Sequence, residues 1–254
     1  MIAFSIQSGS NGNCVYVECG KTGVLFDAGI SGLKAQRALA AHGRDIRKVA
    51  AVVISHDHRD HVCSAGIFSR KFGLPVYITP PTLEAARQCK LGRIDDIRLF
   101  QSGQTVEIGP MTIRTVPTPH DSADGVAFVV EGEGRRVGVL TDLGHVFDGL
   151  AEVVATLDGV FLESNYEPEL LENGPYPEFL KARIRGPHGH ISNHEAAGLL
   201  HATAGGTLKW ACLAHLSEHN NTPAAAMKVH RRILKDTLPL HVASRYEPSG
   251  IFEA

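Results

Sequence analysis

Four residues with metal-binding side chains lie close together in the sequence SHDHRDH at 55–61. They are His56, His58, Asp60 and His61, with the spacing H-x-H-x-D-H, and they follow an apolar segment typical of a strand buried on both faces. In a loop leaving a strand, the first two histidines can bind one ion while the aspartate and the last histidine reach a second. Imidazole and carboxylate ligands suit zinc, manganese or iron. A solvated polar loop is the alternative, but this density beside a buried strand favours a metal site.

The cluster resembles the signature of the metallo-β-lactamase superfamily of hydrolases. The rest of that family's pattern can be matched in order along nearly the whole chain, always where a strand-like segment ends. The resemblance implies that His120 in VPTPHD completes the first metal site and that His215 in CLAHLS completes the second. It also implies that Asp142 in VLTDLG bridges the two ions, while Asp27 in LFDAG braces the ligand loop without binding metal.

Strand and helix signals around these residues predict the elements that must position them. Strands are predicted at 2–7, 14–19, 23–29, 49–55, 75–79, 97–101, 105–109, 111–117, 125–132, 135–142, 158–164, 208–215 and 238–244. Helices are predicted at 31–42, 64–72, 81–89, 145–156, 193–203 and 223–236, with Ser192 and Glu195 as a capping box. Two halves that each run from strands to helices predict an α/β (α+β) fold with two sheets packed face to face and helices outside. The four-layer αββα sandwich of the metallo-β-lactamase fold agrees with this prediction, as one domain over 1–254.

Composition excludes several classes of protein. The 254 residues are 43% hydrophobic and 20% charged, which is ordinary for a globular domain, and the net charge of −2 gives no global basic field for nucleic acid. The apolar runs are far shorter than the stretch of about 20 residues that a transmembrane helix needs. The N-terminus lacks the basic region of a signal peptide. Five scattered cysteines predict reduced thiols in a cytoplasmic protein.

Further segments narrow the resemblance within the superfamily. Retention of Asp60 together with Asp142 is similar to the phosphodiesterase, nuclease and glyoxalase II branches and disfavours antibiotic hydrolysis. The segments at 8–13, 141–144, 162–166, 189–193 and 215–221 together resemble the small bacterial YycJ or WalJ subfamily, which is related to ribonuclease Z and the β-CASP nucleases. This implies a phosphodiesterase or nuclease that uses a metal-bridging hydroxide, with 5′-to-3′ exonuclease action on DNA favoured.

The same resemblance implies proton-transfer or positioning roles for two further residues. His190 occupies the place of a ribonuclease Z histidine that helps to protonate the leaving oxygen, and ordinary hydrogen bonds in a capping loop are the alternative. Glu163 ends a strand-like segment and is expected to orient a ligand or His190, or to be structural only. Asp60 is expected to accept the proton from the attacking water.

Candidate substrate contacts lie in two segments. Lys181, Arg183 and Arg185 lead towards His190 and would set cations beside the metals to meet phosphates, although such charges usually lie on a solvated helix face. The turn that contains Ser10 and Asn13 could offer backbone N–H groups to an anion, with a simple hairpin turn as the alternative. Only 22 positions separate His120 from Asp142 and 48 separate Asp142 from His190, too few for a tRNA-clamping arm or a β-CASP domain. A nuclease of this kind must therefore hold its substrate with the core fold alone.

Two rival functions use the same ligands. A glyoxalase II-like thioesterase or another small-ester hydrolase is the first, but such enzymes usually append a helical domain and only 39 residues follow His215 here. A metal sensor or di-iron redox module is the second, but these generally carry a fused flavodoxin or rubredoxin partner, for which the sequence gives no sign.

Overall fold

Two seven-stranded sheets form the framework of the computed structural model, which describes residues 1–203, 205–235 and 237–254. The strands of the first sheet are β1 (Ile2–Gln7), β2 (Cys14–Cys19), β3 (Thr22–Phe26), β4 (Val49–Val53), β5 (Val76–Ile78), β6 (Ile97–Leu99) and β14 (Phe252–Glu253). The strands of the second sheet are β7 (Thr105–Ile108), β8 (Met111–Pro117), β9 (Val126–Gly132), β10 (Arg135–Leu140), β11 (Gly159–Glu163), β12 (Trp210–Ala214) and β13 (Leu240–Val242).

Helices connect the strands and cover the sheets. They are α1 (Gly32–Ala41), α2 (Arg59–Val62), α3 (Ala65–Phe72), α4 (Pro80–Ala85), α5 (Leu150–Ala155), α6 (Pro168–Asn173), α7 (Glu178–Arg185), α8 (Asn193–Ala202) and α9 (Pro223–Leu234). The predicted capping box is present, because the Ser192 side chain accepts from the Glu195 backbone and the Glu195 side chain accepts from the Ser192 backbone. Within the described part of the chain, no helix has both the length and the apolar character needed to cross a bilayer.

The strand order places the functional loops at one edge of both sheets. It is β14-β1-β2-β3-β4-β5-β6 in the first sheet and β13-β12-β11-β10-β9-β8-β7 in the second. Strands β3 to β6 are parallel to one another, as are β10 to β13. Because parallel strands end at the same edge of a sheet, the loops that follow β3 and β4 lie together, as do those after β10, β11 and β12.

Three apolar layers hold the architecture together. Side chains from both sheets share the central layer, where the rings of Phe26 and Phe128 lie 5.0 Å apart. A second layer lies between the first sheet and helices α1 and α3, and includes Leu39 and Phe68. A third lies between the second sheet and helices α5 and α8. This arrangement confirms the predicted αββα sandwich.

Several predicted boundaries were wrong. The helix predicted from 145 begins at Leu150, because Gly149 takes a left-handed φ of 86° that starts the helix only there. The sequence prediction also omitted α6 and α7, the two short helices between β11 and α8. The helix predicted to reach 236 ends at Leu234, where Lys235 turns left-handed with a φ of 52°, and Asp236 lies outside the described residues.

Candidate active site

Three polar residues that follow strands share the same unusual backbone conformation. Asp27 after β3, Asp142 after β10 and His215 after β12 have φ values of 67°, 57° and 55°. A non-glycine residue in this left-handed region costs energy, so such residues persist only where the surroundings hold them, often at functional sites. The predicted strands 23–29 and 135–142 are therefore shorter than expected, ending before Asp27 and Asp142.

Three histidines from two loops form the first cluster. Donor atoms of His56, His58 and His120 all lie within 4.8 Å of one another. The ring centroid of His56 is 4.7 Å from that of His58 and 5.3 Å from that of His120. Residues 56 and 58 come from the loop after β4 and residue 120 from the loop after β8, so the two sheets meet at this cluster.

Backbone carbonyl groups orient two of these rings. His58 Nε2 lies 3.2 Å from the carbonyl oxygen of Asp121, and His120 Nδ1 lies 2.8 Å from that of Gly189. Since a carbonyl can only accept, each of these nitrogens carries the proton. The opposite nitrogens, His58 Nδ1 and His120 Nε2, lie 3.3 Å apart and face one another, as ligands of one ion would.

Asp27 and Ser55 orient the other histidines of the loop. Asp27 Oδ1 accepts from the Ser55 backbone N–H at 2.8 Å, and Asp27 Oδ2 accepts from Ser55 Oγ at 3.0 Å and from His61 Nδ1 at 2.7 Å. Ser55 Oγ in turn lies 2.9 Å from His56 Nδ1. Because these contacts occupy the Nδ1 atoms, Nε2 is the nitrogen of His56 and of His61 that can bind a metal ion. His56 Nε2 is buried and has no hydrogen-bond partner among the described residues.

Asp60, His61 and His215 form a second cluster. Asp60 Oδ2 lies 3.5 Å from His61 Nε2 and 3.4 Å from His215 Nε2. Asn13 packs against this cluster, with its side-chain amide 3.2 Å from Asp60 Oδ2 and 2.9 Å from His61 Nε2. The loop after β3 fits equally closely, because a Cβ on Gly29 would lie 1.6 Å from the Asp60 carbonyl oxygen.

Asp142 lies between the two clusters. Its Oδ2 is 3.3 Å from His61 Nε2 and its Oδ1 is 3.7 Å from His120 Nε2, so one carboxylate faces a ligand of each cluster. Oδ2 is buried and accepts no hydrogen bond from the described residues. A buried carboxylate oxygen without a donor is costly unless a cation or a water molecule satisfies it.

Burial and charge shift the pKa values of these residues in both directions. Burial, reinforced by the neighbouring histidines, holds the pKa of His56 well below its ordinary value, and burial also lowers the pKa of His120. Burial opposes ionisation of Asp60 and Asp142, but the surrounding histidines outweigh it and hold the pKa of both carboxyls well below the usual range.

Burial lowers the pKa of His61 and His215, but Asp142 and the other facing carboxylates outweigh it and raise the pKa of His61 well above its ordinary value and that of His215 to about 10, so metal binding must displace a proton from each. Neutral imidazoles and ionised carboxylates are the forms that bind metal. The donor set, the open nitrogens and the unpartnered Asp142 oxygen therefore fit divalent metal ions.

A histidine outside the two clusters lies against both of them. The ring centroid of His190 is 5.0 Å from that of His120 and 5.2 Å from that of His215. Its Nδ1 donates to Glu163 Oε1 at 2.6 Å, and the His190 side chain is 16% exposed while Glu163 is fully buried. Burial raises the pKa of Glu163, but the charge and hydrogen bond of His190 outweigh it and bring that pKa to about 2. The pair can therefore present His190 Nε2 to a bound molecule as a proton donor.

The structure separates the three basic residues of α7. Arg183 Nε and Nη2 donate to the Asp121 carboxylate, beside the first cluster. Lys181 is buried and bonds the Glu172 carbonyl oxygen and the Glu178 carboxylate, and Arg185 also pairs with these two glutamates. Of the two candidates in the N-terminal turn, Asn13 is buried against the second cluster, whereas Ser10 is exposed.

Three residues of the site were missed from the sequence. Ser55 and Asp121 directly adjoin metal-ligand candidates, and that adjacency is the signal that could have identified them. Asn165 follows β11, and its amide lies 3.2 Å from His215 Nδ1 and donates to the His215 carbonyl oxygen at 2.8 Å. This contact joins loops 50 positions apart, which no spacing pattern reveals.

Comparison with known proteins agrees with this geometry. A model of the β-lactamase superfamily domain matches residues 22–215. The chain is 35% identical over 219 residues to exodeoxyribonuclease WalJ of Streptococcus pneumoniae, covering 85% of this chain and 81% of that protein. It is 32% identical over 234 residues to exodeoxyribonuclease YycJ of Bacillus anthracis, covering 91% and 88% of the two chains.

Solved structures show the same fold at lower identity. The metallo-β-lactamase fold protein YhfI of Bacillus subtilis superposes with a TM-score of 0.76 at 19% identity, covering 100% of this chain and 99% of that one. The short form of human tRNase Z superposes with a TM-score of 0.67 at 15% identity over 100% of both chains. The present chain therefore belongs to the metallo-β-lactamase superfamily, in the family that includes the WalJ and YycJ proteins.

Proposed function

We propose that this protein is a metal-dependent exodeoxyribonuclease that shortens DNA from its 5′ end. The observation that carries the proposal is the position of His190, which lies against both ligand clusters and is held by Glu163. Cleavage of a phosphodiester expels an alkoxide, which is a poor leaving group unless it is protonated. The names of the relatives from Streptococcus pneumoniae and Bacillus anthracis support DNA as the polymer and its end as the point of attack.

The proposal assigns two divalent ions to the clusters. Zinc and manganese suit the ligands, and iron is compatible with them. His56, His58 and His120 would hold the first ion, Asp60, His61 and His215 would hold the second, and Asp142 would face both. Such ions polarise a phosphoryl oxygen and lower the pKa of bound water towards about 7.

The side chains of the chain carry out the proton transfers in this proposal. Asp60 accepts the proton of the attacking water, and its carboxylate is ionised because His61 and His215 face it. His190 donates a proton from Nε2 to the leaving oxygen, and Glu163 stabilises the protonated ring from the other side. Arg183 beside the first cluster meets a phosphate of the bound strand, with its guanidinium oriented by Asp121.

The pairing of His190 with Glu163 distinguishes phosphodiester cleavage from thioester hydrolysis. A thiolate is a far better leaving group than an alkoxide, so a glyoxalase II-like enzyme gains little from a proton donor at this position. The buried carboxylate that holds His190 therefore favours a phosphodiester substrate.

All five cysteines are free thiols, which fits the reducing cytoplasm in which we place the protein.

A single-stranded DNA with a 5′-phosphate tests the proposal. Metal-stripped protein resupplied with Mn²⁺ is incubated with this DNA labelled at the 3′ end, and in parallel with the same DNA labelled at the 5′ end. We expect a descending ladder from the first substrate and immediate release of a labelled mononucleotide from the second. An RNA of the same sequence is expected to persist.

Two variants of the metal loop make the test specific. Asp60→Asn is expected to slow the reaction by about 100-fold or more, because it removes the proton acceptor and a charged ligand. Asp57→Asn is the matched control, since Asp57 Oδ1 accepts only from the Ala123 backbone N–H among the described contacts, a role that an amide oxygen can keep. Undiminished shortening by the Asp60 variant, or a ladder growing from the 3′ end, would overturn the proposal.

A further inference from the structure

One face of α7 joins an exposed aromatic ring to the first ligand cluster. Phe179 is 76% exposed, and Arg183 lies four residues further along the helix. Residues four apart share a helix face, with their Cα atoms about 6 Å apart along the axis. Ala182, exposed and small, lies beside them and leaves this face open. The aromatic ring and the guanidinium therefore form one strip.

The cluster end of the strip is fixed by Arg183. Its guanidinium donates two hydrogen bonds to Asp121, and Asp121 Oδ1 lies 3.5 Å from His120 Nε2. The arginine side chain is nonetheless 52% exposed, so a ligand can still reach it. The other end of the strip, Phe179, lies about one helical turn from Arg183, towards the start of α7.

The opposite face of α7 anchors the helix. Leu180 and Ile184 pack with Tyr176 against Tyr166 and Leu171, so the Tyr176 ring is part of this apolar cluster. Phe179 is turned the other way, although burying such a ring would gain about 2 kcal/mol or more. A rigid helix thus holds Phe179 in solvent beside a cation that bonds Asp121 at the first cluster.

We propose that Phe179 and Arg183 form a nucleotide-binding strip for single-stranded DNA. Arg183 contacts a backbone phosphate next to the cleaved bond, and Phe179 stacks on the base of a neighbouring nucleotide. Only an unpaired base offers its face for such stacking, so the strip selects a single strand over a duplex. The inference rests on the proposed function, since it assigns the strand that the ligand clusters would cleave.

Binding to chains with and without bases tests this inference. Mn²⁺-loaded protein is titrated into a fluorescent phosphorothioate oligothymidylate, which resists hydrolysis, and into an abasic chain of the same length and linkages. The wild type is expected to prefer the chain with bases by about 10-fold or more. Phe179→Ala is expected to bind both chains equally, and Phe179→Trp to restore the preference. Leu99→Ala, which removes another exposed apolar side chain on β6, is the control that keeps the preference.

Hydrolysis of bis(p-nitrophenyl) phosphate separates the strip from the catalytic site. This small diester has no neighbouring nucleotide whose base could stack on Phe179, so Phe179→Ala should hydrolyse it at the wild-type rate. Wild-type protein that leaves DNA intact, combined with loss of base preference in the variant, would contradict the proposed function and leave the strip standing. Shortening of DNA with unchanged base preference in Phe179→Ala would overturn the strip alone. A Phe179→Ala protein with unchanged preference and a smaller sedimentation coefficient would assign the ring to contact between two copies of this chain.

Discussion

Glu163 connects His190, the proposed proton donor, to the loop of Asp142, the proposed bridging ligand. The Oε1 atom of Glu163 accepts from His190 Nδ1 at 2.6 Å, while its Oε2 atom accepts from the Leu143 backbone N–H at 2.9 Å. Leu143 directly follows Asp142, so the buried side chain of Glu163 holds both the His190 imidazole and the loop that contains Asp142. A displacement of Glu163 should therefore affect proton transfer and metal geometry together, and the two effects can be separated by the leaving group.

The Glu163→Gln variant is expected to lose more activity on DNA than on an activated diester. Glutamine is neutral and stabilises a protonated His190 less well, so kcat on DNA should fall towards the limit of about 10²–10⁴-fold set by general acid catalysis. Bis(p-nitrophenyl) phosphate releases a phenolate that needs little protonation and should be hydrolysed at close to the wild-type rate. Glu167→Gln is a matched control, because Glu167 also contacts a histidine, with its Oε1 3.3 Å from His194 Nε2. Equal losses on both substrates would make Glu163 a structural or metal-positioning residue.

Arg183→Ala is expected to weaken binding to single-stranded DNA in a salt-dependent way. Loss of one phosphate contact should reduce the slope of log affinity against log salt by about 0.7. Arg185→Ala removes a cation from the same helix, but Arg185 pairs with Glu172 and Glu178, whereas the partner of Arg183 is Asp121 beside the first cluster. Its salt slope should match that of the wild type in titrations followed by fluorescence anisotropy. If both variants lost the same slope, α7 would attract the strand through general charge and Arg183 would have no special position.

Asp27→Asn is expected to weaken metal binding without loss of the fold. Asparagine tolerates the left-handed backbone at this position, with its φ of 67°, but it provides one acceptor oxygen for the contacts that the Asp27 carboxylate now makes to Ser55 and His61. Loss of such an orienting contact typically reduces metal affinity by about 10–100-fold. The dissociation constant for Zn²⁺ can be measured by competition with a chromophoric chelator, and Asp45→Asn at an exposed turn is the control. An unchanged dissociation constant would show that the His61 ring is held by other contacts.

His230 should make the free energy of unfolding depend on pH. It is fully buried in α9, its Nδ1 bonds the Ala226 carbonyl oxygen at 2.9 Å, and burial lowers its pKa to about 4. The unfolded chain takes up this proton below about pH 6.5 whereas the folded chain stays neutral, so stability is lost as pH falls through this window by about 1.4 kcal/mol per unit.

A His230→Leu variant tests this relationship. In urea unfolding of the metal-stripped proteins, the wild type should lose about 2 kcal/mol more than the variant between about pH 6.5 and 5. Both proteins share every other titrating group, so the difference isolates His230. Parallel loss of stability in the two proteins would mean that the His230 ring takes up its proton at the same pH in the folded and unfolded chains.

The sequence pointed to the proposed ligands because these residues adjoin strands with clear apolar patterns. The SHDHRDH segment follows β4, and His120, Asp142 and His215 follow β8, β10 and β12, so the strand order alone brings them to one edge. The two-sheet architecture followed from the same patterns. These are local signals, and a fold with parallel strands converts them into a common site.

Other parts of the site depend on contacts that no local pattern encodes. The left-handed backbone of Asp142 and His215 is stabilised by tertiary surroundings, and strand propensity predicts extended residues there instead. The basic residues of α7 look equivalent in sequence, but Arg183 reaches Asp121, 62 positions away, while Lys181 and Arg185 pair with glutamates of α6 and α7. Which cation faces the site was therefore decided by the packing of α7, a helix that the sequence pattern did not predict.

Metal dependence of DNA shortening is the most direct test of the central claim. Protein stripped with a chelator is titrated with Mn²⁺, while the bound metal and the rate of release of 5′-nucleotides are measured on the same samples. We expect no activity without metal and full recovery as the bound metal approaches two ions per chain, with His61→Ala stopping at one ion and remaining inactive. Shortening of DNA by the stripped protein at the original rate would contradict this claim.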